Sequence, residues 1–139
     1  MMDKMCDIVP GVGIGHFSVG MSEEEMLKNV DERYTIEDLG TSRRYHMSFM
    51  RIWVDKNTKC VEQITVGKGF EGMLCHRIGI GSKLHEQRSL GEVYCQYTLY
   101  PVYMIKGIDG ICFEVEDDKT YDDEEDEEEK AIEWISLFH

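Results

Sequence analysis

Residues 45–66 read YHMSFMRIWVDKNTKCVEQITV. Two runs of strand-forming residues flank a hydrophilic stretch, Asp55 to Lys59. In an extended chain successive side chains point to opposite faces, so Ser48, Met50, Ile52 and Val54 share one face and Met47, Phe49, Arg51 and Trp53 the other. Enrichment in β-branched and aromatic residues predicts strands over 45–54 and 60–66, joined as a β-hairpin. Gly67, Gly69 and Gly72 then break the pattern.

The same pattern returns at the end of the chain. Val61–Val66, VEQITV, matches Ile132–Leu137, IEWISL, and Met50, Ile52 and Val54 match Ile111, Phe113 and Val115. Upstream, Ile78-Gly79-Ile80-Gly81-Ser82 echoes Val12-Gly13-Ile14-Gly15 and the serine at 22. Ser22–Val30, SEEEMLKNV, reads as an amphipathic helix: Ser22 caps it, Glu25 completes a capping box, and Glu23 to Glu25 complement the positive end of the helix dipole. Ser82–Leu90, SKLHEQRSL, has the same length, with Gly91 as its stop. The spacing therefore predicts two tandem copies, about 11–69 and 74–138, within one domain spanning 1–139. The expected class is α+β, an antiparallel β-sheet with two short helices on one face. Between these elements, 31–44 reads as polar connection with Tyr34, Ile36 and Leu39 touching the core and a turn at Gly40-Thr41-Ser42. Glu92–Ile105 reads as strand interrupted by Pro101, and Trp53 and Trp134 as core or near-core anchors. The glycines at 11, 13 and 15 lack the Lys-Ser/Thr of a phosphate loop and the helix of a dinucleotide loop, so they read as turn residues.

The two copies differ in one respect. The connection after Val115 is about ten residues longer than that after Val54, and the extra residues are acidic. Asp122 to Glu129 is eight acids without interruption. Glu114 to Glu129 holds 12 acids and one lysine, a charge of −11 out of −13 for the whole chain. The remainder, 14 basic and 16 acidic residues, is close to neutral. The alignment predicts a long hairpin tip at 117–129. Such a pole attracts a cationic partner and speeds the encounter. The other reading is a disordered run that serves solubility. A calcium loop needs a central glycine and flanking helices, so any divalent cation would bind the run weakly and diffusely.

The partner-binding residues expected on this reading are Glu116, Asp117, Asp118, Tyr121, Asp122, Asp123, Glu124, Glu125, Asp126 and Glu127. A second surface is aromatic: Tyr97 and Tyr100, with Tyr94 and Tyr103 close by, on a segment that Pro101 marks as a sheet edge. Direct nucleic-acid binding needs clustered Lys and Arg, which the charge disfavours. No apolar run is long enough for a transmembrane helix and the N-terminus has no apolar signal core, so a cytoplasmic protein is expected. Cys6, Cys60, Cys75, Cys95 and Cys112 have no metal-ligand spacing and read as buried free thiols in a reducing compartment. No Ser/His/Asp or Cys/His constellation assembles, His76 and Cys75 being placed on opposite faces of a strand; neither catalysis nor a cofactor is expected.

The pattern PGVGIGHFSVGMSEEEMLKNV, then IGIGS, then GICFEVEDD and a final IEWISLF resembles a group of small bacterial cytosolic proteins whose tandem helix-plus-strands unit is similar to the beta-lactamase inhibitor protein. Several of these are regarded as immunity proteins of polymorphic toxin or contact-dependent growth inhibition systems. The resemblance implies binding of a cognate toxin domain and blocking of its active site. With the acidic run, that toxin is expected to be basic, such as a nuclease. The alternative is a general protein-binding or scaffold module whose acidic loop is only a solubility element.

Overall fold

Eight strands form the larger of two sheets in the computed structural model, which describes residues 7–97, 101–116 and 130–139. They are β4 (Thr35–Asp38), β5 (Ser42–His46), β6 (Met50–Asp55), β7 (Val61–Val66), β10 (Val93–Tyr97), β11 (Pro101–Ile105), β12 (Ile108–Val115) and β13 (Ile132–Phe138). The order across the sheet is β10-β11-β12-β13-β7-β6-β5-β4, antiparallel throughout. A smaller sheet has the order β3-β2-β1-β8-β9, from β1 (Ile8–Val9), β2 (Gly13–Ile14), β3 (Phe17–Ser18), β8 (Met73–Leu74) and β9 (Ile78–Gly79). Its β1 and β8 pair in parallel, with Ile8 opposite Leu74.

The alternation read from the sequence sets the packing. Tyr45, Ile52, Ile64, Leu137 and Ile111 follow one another across five strands, and Met50, Val66, Ile135 and Phe113 form the next row. All are at most 3% exposed. They join one buried cluster with Ile14, Phe17, Leu74 and Ile78 of the small sheet and with Met26 and Leu84 of the helical segments. Full burial of each such side chain contributes roughly 1.5–3 kcal/mol, so this layer holds the domain together.

Two helical segments sit against the sheet. The helix α1 (Glu23–Asn29) begins as expected, Ser22 Oγ accepting the Glu25 N–H at 3.1 Å. The second segment is a 3-10 helix, Leu84–Ser89, and it starts after Lys83. Ser82 does not cap it; its hydroxyl instead accepts the Gly79 N–H at 3.0 Å. Each segment is tied to the large sheet by three backbone bonds. Gly20 N–H donates to Val61 O (2.7 Å), Val61 N–H to Met21 O (2.8 Å) and Glu23 N–H to Lys59 O (2.9 Å). The second set runs from Gly81 N–H to Ile132 O (2.9 Å), Ile132 N–H to Ser82 O (2.8 Å) and Leu84 N–H to Lys130 O (3.0 Å).

Several sequence expectations change. The expected strand 45–54 is broken at Met47–Phe49, where Met47 N–H bonds Met50 O, so β5 and β6 form a hairpin of their own. The stretch read as polar connection contains β4, an edge strand with all four residues exposed. Tyr34, Ile36 and Leu39, expected to touch the core, are 42, 53 and 41% exposed; Tyr34 does reach it, its ring 5.6 Å from that of buried Tyr45. The segment 92–105 is two strands; Val93–Tyr97 is the sheet edge, and Pro101 begins the strand inside it. Cys75 and His76 lie in a tight turn with φ of 52° and 58° rather than on a strand, and Cys75 is exposed rather than buried. No helix among the described residues is long and apolar enough to cross a membrane.

Candidate functional site: the open face of the sheet

The face of the large sheet opposite the core carries the other half of the alternation. One row runs Cys112, Ser136, Thr65, Arg51, His46 across β12, β13, β7, β6 and β5. The next runs Phe138, Gln63, Trp53, Arg44 and Glu37. Glu114 lies opposite Trp134 on the other side. All of these except His46 and Glu37, together with Val102, line a cavity of about 340 Å³. Trp53 and Trp134, expected as core or near-core anchors, therefore stand half-buried on this open face and outside the core layer.

The floor is polar and buried. Thr65 and Ser136 are 4 and 5% exposed, and their hydroxyls lie 2.7 Å apart. Gln63 Nε2 donates to Thr65 Oγ1 at 3.0 Å and reaches Ser136 Oγ at 3.4 Å. Beside them burial pushes the Cys112 thiol up to about 11, with the Glu114 charge acting the same way and a Ser136 hydrogen bond opposing it. Cys112 is thus a protonated thiol at neutral pH and no nucleophile.

The walls are indole and guanidinium. Arg51 stacks over the Trp134 ring at 4.5 Å and Arg44 over Trp53 at 5.4 Å. Trp134 reaches across β7 because the residue beneath it is Gly67, where a Cβ would lie 2.3 Å from the ring. Arg44 is also an ion-pair partner of Glu37, which His46 Nε2 contacts at 2.9 Å. The Arg44 hydrogen bond, followed by that of His46, holds the Glu37 carboxyl below its usual range.

The sequence-expected partner residues fall elsewhere. Glu116 is exposed at the end of β12; its N–H bonds Ala131 O at 3.0 Å and its carboxylate accepts the Ala131 N–H at 3.3 Å. Asp117 to Glu127, Tyr121 among them, and Tyr100 lie outside the described residues; the run connects the paired strands β12 and β13. Tyr97 belongs to the edge strand β10, opposite Pro101. Of the other tyrosines, Tyr94 is 42% exposed and Tyr103 is buried. The open face had a signal in the sequence: the positions alternating with the apolar row are part polar and part aromatic in both hairpins. Comparison with protein-family models, with curated proteins and with solved structures finds no match.

Proposed function

We propose that the chain is a duplicated helix-plus-strands unit acting as a protein-binding module, an immunity protein that neutralises a basic toxin domain. The duplication is supported by the two matching sets of backbone bonds and by the sheet order, in which β7 and β13 sit side by side with three strands extending on either side. If a two-fold relates the halves, the residues facing their own counterparts are Thr65 and Ser136, and these are directly opposite in the ladder.

The observation that carries the function is charge. A pole of −11, Glu114 to Glu129, starts at the end of β12 and runs into its connection to the paired strand β13, on a domain otherwise near neutral. Covering a phosphate-binding cleft of Lys and Arg needs such a carboxylate array, and the resemblance to immunity proteins points the same way. The second reading, a scaffold module with a solubility loop, is favoured by the open face, whose indoles and arginines are interface residues in their own right.

The test is capture of the partner from the source cell's lysate by the intact protein and by a variant lacking Asp117–Glu129, at low and high salt. The immunity reading expects a basic domain whose toxic activity is inhibited by the intact protein. Its affinity should fall at least about tenfold with the deletion or with salt. Capture that is indifferent to both moves the interface to the folded sheet and leaves the scaffold reading.

A further inference from the structure

We propose that the cavity on the open face is a binding site for a small organic carboxylate, with Arg51 as the charge that selects it. The inference is independent of the toxin reading.

Arg51 is the cation of the cavity that has no ion-pair partner among the described residues. Its guanidinium stacks on Trp134 but has no hydrogen-bond acceptor among the described residues. A guanidinium presents five donors in a planar fork that matches a carboxylate. Arg44, the other cation, is already engaged by Glu37. Glu114, the carboxylate that lines the cavity, stands on β12, three strands from Arg51, about 14 Å at backbone level. The indole of Trp134 lies between them, so Glu114 repels an anion at Arg51 weakly.

The rest of the cavity fits a flat apolar body carrying that group. Trp53, Trp134, Phe138 and Val102 supply apolar walls, while Gln63 and the buried Thr65–Ser136 pair supply polar groups at the floor. A volume of about 340 Å³ lies within the range of small-molecule sites. Gly67 keeps the Trp134 ring flat over β7 and so fixes the wall against which the guanidinium rests.

Benzoate and benzamide, nearly identical in shape and different in charge, are the probes. Titrated into the full chain, benzoate should move the indole Nε1–H resonances of Trp53 and Trp134 saturably, and benzamide should bind at least about tenfold more weakly. Arg51→Met should reduce benzoate affinity by a similar factor and benzamide affinity by much less, and Arg51→Lys should recover part of the benzoate loss. Far-UV circular dichroism checks that both variants remain folded. Glu114→Gln, which removes the anion from the lining, should leave benzoate binding at least as tight as in the wild type. Equal binding of the two probes, wild-type benzoate affinity in Arg51→Met, or the absence of a saturable shift overturns the proposal.

Discussion

Tyr45 is 2% exposed, yet its hydroxyl donates to Glu23 Oε2 at 2.6 Å, tying the first turn of α1 to the sheet. Burial pushes the phenol up to about 12; the Glu23 hydrogen bond and charge add to this, Tyr34 contributes in the same direction, and Arg43 opposes it. An unfolded tyrosine ionises near pH 10. The folded state therefore holds this proton more tightly, so the stabilisation is complete below pH 10 and is lost as pH rises towards 12. Thermal midpoints should fall over that interval, and Tyr45→Phe should flatten the fall. At neutral pH the same variant should cost about 1 kcal/mol, read from urea denaturation. Sequence reading saw Tyr45 as a strand residue and Glu23 as a helix acid. Their meeting across 22 positions needed the packing of helix on strand, which local patterning does not encode.

The two helical segments bury side chains of different character. Met26 and Gln87 each stand on the third position beyond the backbone bond that anchors the segment's start, and both are 0% exposed. Methionine meets the apolar core there, whereas both polar atoms of the Gln87 amide are buried without a partner among the described residues. A buried unsatisfied polar group costs about 1–3 kcal/mol. Gln87→Met should therefore stabilise the protein by about 1–3 kcal/mol, and Met26→Gln should lower stability by at least as much, both measured by urea denaturation. Equal stabilities for Gln87→Met and wild type would show that the amide finds a partner in solution. The first helix was legible because Ser22, three glutamates and Met26 agree. The second was misread by one residue and in type, since its apolar face is thin and its serine turns back to Gly79.

Across the whole molecule, the alternation of apolar residues in 50–66 and 111–137 was enough to expect an antiparallel sheet with helices, and that class stands. What the pattern could not give was the outermost strands. β4 is exposed on both faces, so no hydrophobic period marks it, and β10 is separated from β11 by residues that carry no turn signature. The halves meet at β7 and β13, whose buried residues belong to one cluster. Trp53 lies in the first half and Trp134 in the second, so a Trp53→Phe and a Trp134→Phe variant each report on one half by fluorescence. Their urea midpoints should coincide with each other's circular dichroism transition once each substitution's own effect is subtracted; separate transitions within one variant would mean that the halves unfold independently. A last consequence concerns how molecules of this protein meet one another. The sheet ends at β4, whose outer backbone groups have no strand beside them among the described residues. Such an edge is a template for fibril growth unless charge guards it. Here Glu37 is held by Arg44 and His46, and Asp38 by Lys56 and the Gly40 N–H, and both carboxyls are lowered below their usual range by those bonds. The guard therefore stays ionised to lower pH than the same carboxyls would without those bonds, which keeps charge on this edge.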